Sequence, residues 1–70
     1  MDNNYTVVIK QEGKWWFGWV EEVPGVNCQE LSKEDLLISL RETLKEALEF
    51  NKQDARLSAG VGYQEEKIAI

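Results

Sequence analysis

Between Ser32 and about Asn51 the apolar positions recur every three to four residues. Leu36, Leu37, Leu40, Leu44, Ala47 and Leu48 fall on one face at about 100° per residue, with Phe50 at its edge. Glu42, Lys45, Glu46 and Glu49 take the opposite face. Ser32 is placed to cap this segment, with Asp35 three residues on as a short-armed capping box and Leu31 and Leu36 at the positions of a hydrophobic staple. Glu34 and Asp35 stand in the first turn, where the helix dipole favours carboxylates. No Gly or Pro interrupts the run, and most of its residues are good helix formers. The pattern predicts one amphipathic helix whose leucine stripe is the core.

Upstream the pattern changes. After a short polar lead, Met1 to Asn4, the stretch Tyr5 to Lys10 is rich in β-branched and aromatic residues and reads as a strand. Gln11 to Lys14, with Gly13, reads as a hairpin turn into a second strand, Trp15 to Val20. Pro24-Gly25 fits the centre of a type II turn, because proline presets one φ and glycine accepts a positive one. Val26 to Glu30 is then a short third strand. Beyond the helix, Lys52 to Tyr63 is polar, carries Gly60 and Gly62, and reads as a connection. Lys67 to Ile70 reads as a last strand. The expected fold is therefore α+β, in the order β-β-β-α-β: an antiparallel three-stranded meander, a single crossover helix on one face, and a final strand added to the sheet. Residues 1–70 form a single domain, without internal repeats or low-complexity tracts.

The second strand is the most informative stretch. Side chains alternate along a strand, so Trp15, Phe17 and Trp19 share one face and Trp16, Gly18 and Val20 the other. Two arrangements are open. If the helix covers the Trp16 face, Gly18 allows close approach and the other three aromatics lie bare. Each aromatic side chain offers roughly 150–250 Å² of surface, and soluble monomers rarely leave such a patch uncovered. A second molecule would then cover it. If instead the helix covers the Trp15 face, Trp16 is the partly exposed ring. Ile38, on the polar face of the helix among Glu34, Arg41, Glu42 and Lys45, is a smaller candidate contact. The candidate protein-interface set is thus Trp15, Phe17, Trp19 and Ile38.

Charge and composition narrow the chemistry. Eight Lys and Arg against thirteen Asp and Glu give a formal net charge of −5. That balance disfavours phosphate backbones, so no direct nucleic-acid binding is expected and a basic protein partner is electrostatically easier. There is no histidine, which removes the usual general base and the commonest metal ligand. Cys28 is the one cysteine, so no internal disulfide forms, and without a histidine base it reads as a structural thiol rather than a nucleophile. Glu21-Glu22 and Glu65-Glu66 are adjacent pairs, which in extended chain point in opposite directions. Gly60-Val61-Gly62 opens no helix and precedes no Lys-Ser/Thr, so it is not a phosphate loop. No metal-ligand spacing is present. No enzyme activity, cofactor or metal is expected. The lone thiol and the lack of a signal peptide or an apolar run of about 20 residues fit a cytoplasmic protein with no membrane attachment. A core this thin is commonly supplemented by association.

The strand into a hairpin, then Trp16-x-Gly18-x-Val20, then Val23-Pro24-Gly25-Val26, a short strand and a Ser-capped leucine helix together resemble the HicB-type antitoxin domain. The resemblance covers Tyr5 to Phe50 by motif and the whole chain by order of elements. It implies a partial ribonuclease-H-like β-β-β-α-β fold lacking that enzyme's catalytic acids. It also implies binding to a small basic HicA-type toxin that cleaves messenger RNA, and assembly into dimers or tetramers. Full-length members often carry a C-terminal DNA-binding module. This chain departs from that pattern by ending at Ile70, after the expected last strand, so repressor activity of its own is not expected. At the exit of the third strand, Gln29-Glu30-Leu31-Ser32 keeps only the hydroxyl cap of the family pattern. The alternative function is a solitary homo-oligomeric scaffold without a toxin; an enzyme or small-ligand binder ranks last.

Overall fold

Two glycine-containing turns set the register of the sheet. The structure, a computed structural model, describes residues 4–70; of the expected polar lead, Met1 to Asn3 lie outside the described residues. β1 (Val7–Glu12) and β2 (Trp15–Val20) form an antiparallel hairpin, with Val7 opposite Val20 and Glu12 opposite Trp15. Its two-residue loop is Gly13-Lys14. Gly13 has φ 59° and among the described residues no non-glycine has a positive φ, the signature of a type II′ turn, whose twist suits a hairpin. The Pro24-Gly25 turn is the expected type II: Gly25 has φ 91°, and the Val26 amide donates to the Val23 carbonyl at 3.4 Å. β3 (Asn27–Glu30) then pairs antiparallel with β2, giving the sheet order β1-β2-β3. β1 starts two residues later than the sequence indicates and runs two further, and Val26 precedes β3 rather than opening it.

The helix α1 (Lys33–Ala59) starts where expected. Ser32 is extended, at φ −142° and ψ 157°, and its Oγ accepts from the Asp35 amide at 3.1 Å. Leu36 is fully buried, whereas Leu31, its expected staple partner, stays 60% exposed and adds little burial. Leu36 and Leu40 form the core with Val20, Val23 and Val26, and Val7, Ile9, Trp16, Cys28, Leu44, Ala47 and Leu48 pack around them. Leu37, assigned above to the buried stripe, is exposed, and so is Phe50. α1 packs on β2 and β3.

Two expectations fail at the C-terminal end. Lys52 to Ala59, read as a connection, continues the helix, because nothing in it breaks a helix before Gly60, whose φ of 75° and N–H, donating to the Arg56 carbonyl at 3.2 Å, close the end. The apolar stripe ends earlier for a different reason: the helix leaves the sheet. The positions that prolong the Leu36–Leu40–Ala47 line are Asn51, Asp54 and Ser58, and every residue from Glu49 onward is exposed. The overhang of eleven residues, Glu49 to Ala59, measures about 16 Å. The last strand is the second expectation. Residues 63–70 carry no regular structure, and the described sheet has three strands. An ion pair between Arg56 Nε and Glu65 Oε2 at 2.9 Å holds this tail beside the overhang instead. The molecule is consequently elongated, 52 × 23 × 15 Å.

Candidate protein-interaction face

Gly18 decides which face the helix takes. A Cβ at this position would lie 2.7 Å from Leu40 Cδ1 and 3.1 Å from Leu36 Cδ2, so only a residue without a side chain lets α1 sit this close. Of the two arrangements left open above, the structure has the first. Val20 is buried and Trp16 half-buried beneath the helix. Trp15, Phe17 and Trp19 lie on the other face, which no element of the described chain covers; Trp15 is 37% and Trp19 42% exposed, and Phe17 is half-buried between its strand neighbours.

The strand register builds the rest of this face. Across β1, Val8 stands opposite Trp19, Lys10 opposite Phe17 and Glu12 opposite Trp15; across β3, Asn27 stands opposite Trp19 and Gln29 opposite Phe17. Lys10 Nζ and Glu12 Oε2 pair at 2.7 Å, and the hydrogen bond and charge of Glu12 raise the Lys10 pKa. A shallow depression of about 460 Å³ runs among Lys10, Phe17, Trp19, Asn27 and Gln29. The result is an aromatic strip framed by polar and charged side chains, the composition of a protein–protein contact: apolar at the centre, polar at the rim. The polar frame was not singled out from the sequence, although Gly13 and strand alternation together place Lys10 opposite Phe17. Ile38 is brought nowhere near the strip. It is 57% exposed on the outer side of α1, with the helix and the sheet between it and Trp15, Phe17 and Trp19.

Three further polar contacts hold the fold. The Ser39 hydroxyl donates to Glu30 Oε2 at 2.7 Å and Cys28 Sγ meets Thr43 Oγ1 at 3.5 Å, two contacts that fasten β3 to α1. The Glu22 carboxylate accepts from the Thr6 amide at 2.8 Å, and that bond holds its pKa below the usual glutamate value. Among the described residues no three His, Cys, Asp or Glu side chains gather as a metal ion requires, and no helix is long and apolar enough to cross a membrane.

Compared with protein-family models, curated proteins and solved structures, the chain has no match. Its fold and its face define an α+β domain of one helix on three antiparallel strands, with an aromatic strip on the sheet face the helix leaves open.

Proposed function

We propose that this chain is a HicB-like, antitoxin-type protein-binding domain that neutralises a basic, HicA-type RNA-cleaving toxin by direct contact. The observation that carries the reading is the uncovered strip of Trp15, Phe17 and Trp19 with its polar frame. The net charge of −5 supports a basic partner over a nucleic acid. The domain acts by occlusion and not as an enzyme, and it works in the cytoplasm. The C-terminal stretch Lys67 to Ile70 completes the ribonuclease-H-like sheet as a fourth strand when the domain is engaged. Support for this comes from the alternation of Ile68 and Ile70 and from the free edge of β1.

A second reading has its own observation. The accessible surface is 6038 Å², against about 4,500 Å² for a compact monomer of 8.1 kDa. The excess, about 1,500 Å² on one chain, is about twice the ~800 Å² that each partner contributes to a standard interface, so a homodimer or tetramer acting as scaffold has surface to bury. One experiment separates the two: RNA cleavage by a toxin encoded beside this chain, titrated with it, alongside sedimentation of the chain alone. Loss of cleavage at one equivalent supports the antitoxin reading. Undiminished cleavage at saturation overturns it, and self-association in the low micromolar range then supports the scaffold.

A further inference from the structure

The helix carries a second surface, separate from the open sheet face. A groove of about 870 Å³ runs along the flank of α1 nearest Tyr5, and none of its lining residues belongs to β2 or β3. Its floor includes Leu44 and Leu48, both half-buried. Its cations are Arg41, Lys45, Lys52 and Lys67, half of the eight in the chain, and no Asp or Glu lines it although the chain has thirteen. Neither ion pair of the described residues, Lys10–Glu12 and Arg56–Glu65, involves any of these four cations.

Such a concentration opposes the overall charge; Glu42 and Glu49, the acids at helical spacing from Lys45 and Lys52, stand outside the lining. We infer that the groove binds an acidic, extended peptide segment of a partner protein. The charge pattern selects the sign of the ligand, and the leucine floor selects one with apolar as well as acidic side chains. The first step and the length of the row are compatible with an extended segment. Arg41 and Lys45 stand about 6 Å apart along the helix axis, and alternate side chains of an extended segment repeat at about 6.6 Å. From Arg41 to Lys52 the cation row is about 16 Å long, the reach of about five extended residues. At its volume the groove lies near the upper limit of small-molecule sites, which leaves room for a peptide segment.

The test uses the full chain and a fluorescein-labelled eight-residue peptide of alternating Glu and Leu, read by anisotropy. The same peptide with Gln for Glu and vesicles of phosphatidylglycerol serve as comparisons. The Glu peptide should bind, and its affinity should fall about tenfold between about 50 and about 300 mM salt as the charges are screened. Lys45→Glu with Lys52→Glu should weaken it at least about tenfold, whereas Lys14→Glu, outside the groove, should leave it within about twofold. If the double reversal fails to fold, as judged by circular dichroism, Lys45→Gln with Lys52→Gln decides in its place. Equal binding of the Gln peptide, indifference to the groove substitutions, or binding to the vesicles and not to the peptide would each overturn the inference. Because the toxin assay reads the opposite side of the molecule, either idea can fail without the other.

Discussion

Single residues in this domain carry unequal weight, and Gly18 carries the most. Leu36 and Leu40, which it touches, are both fully buried, so neither has room to swing away from an added methyl. Gly18→Ala should cost about 1–3 kcal/mol through overpacking, measured as a lower urea midpoint at unchanged m-value. Glu22 matters under acid. Its folded pKa is depressed, so the contact with the Thr6 amide contributes stability above the ordinary value of 4.5 and is lost as pH falls through the lower folded value. The Thr6 amide resonance should therefore shift below pH 4.5, and in Glu22→Gln that shift should vanish. A titration that moves Thr6 equally in both proteins would place the responsible proton elsewhere. Gly18 was readable as a site of close approach from its place between Trp16 and Val20. The Glu22–Thr6 bond was not, because it joins residues sixteen apart through a hairpin register that only the folded chain creates.

Among the elements, the helix divides into a packed part and a free part, and the two should respond differently to mutation. Ser32→Ala removes the cap bond to Asp35 and should cost about 1 kcal/mol. Leu40→Ala, in the packed part, should cost about 2–5 kcal/mol, enough to unfold much of a domain this small. Ala55→Pro, in the overhang, should shorten the helix without touching the core. It should lower the helical circular dichroism at 222 nm while leaving the cooperative unfolding midpoint nearly in place; a collapse of that midpoint would show that the overhang contributes to the fold of the lone chain. The overhang also explains the misplaced helix end. Periodicity reports burial, and it stops at Leu48, where the sheet stops. Propensity reports the backbone, and nothing opposes it until Gly60.

For the whole molecule, the two faces of β2 predict a separation of stability from association. Trp16 packs with the core under α1, so Trp16→Ala should lower folding stability by about 3–5 kcal/mol, scaled down for its partial exposure. Trp19 is 42% exposed on the face the helix leaves open, so Trp19→Ala should cost the fold less than Trp16→Ala does and weaken partner binding or self-association by about 2–4 kcal/mol if it sits at the centre of the contact. Denaturation and binding measured on both variants check the pair; a Trp19→Ala protein with unaltered association would remove the strip from the interface. The radius of gyration of 15.3 Å, against about 11 Å for a compact chain of this length, gives the same picture of a molecule with surface to spare.

Alternation and helical period are properties of the covalent chain, and they were enough to define three strands, their turns, one capped helix and a two-faced aromatic strand. Local sterics and local burial leave that imprint in consecutive residues. Three matters lay beyond its reach: which aromatic face the helix covers, how far the helix outruns the sheet, and whether Lys67 to Ile70 joins the strands. Each depends on contacts between residues distant along the chain, such as Leu40 against Gly18 or Arg56 against Glu65. The groove of cations beside Tyr5 belongs with them, since charges spread from Arg41 to Lys67 become one site only when the chain is folded.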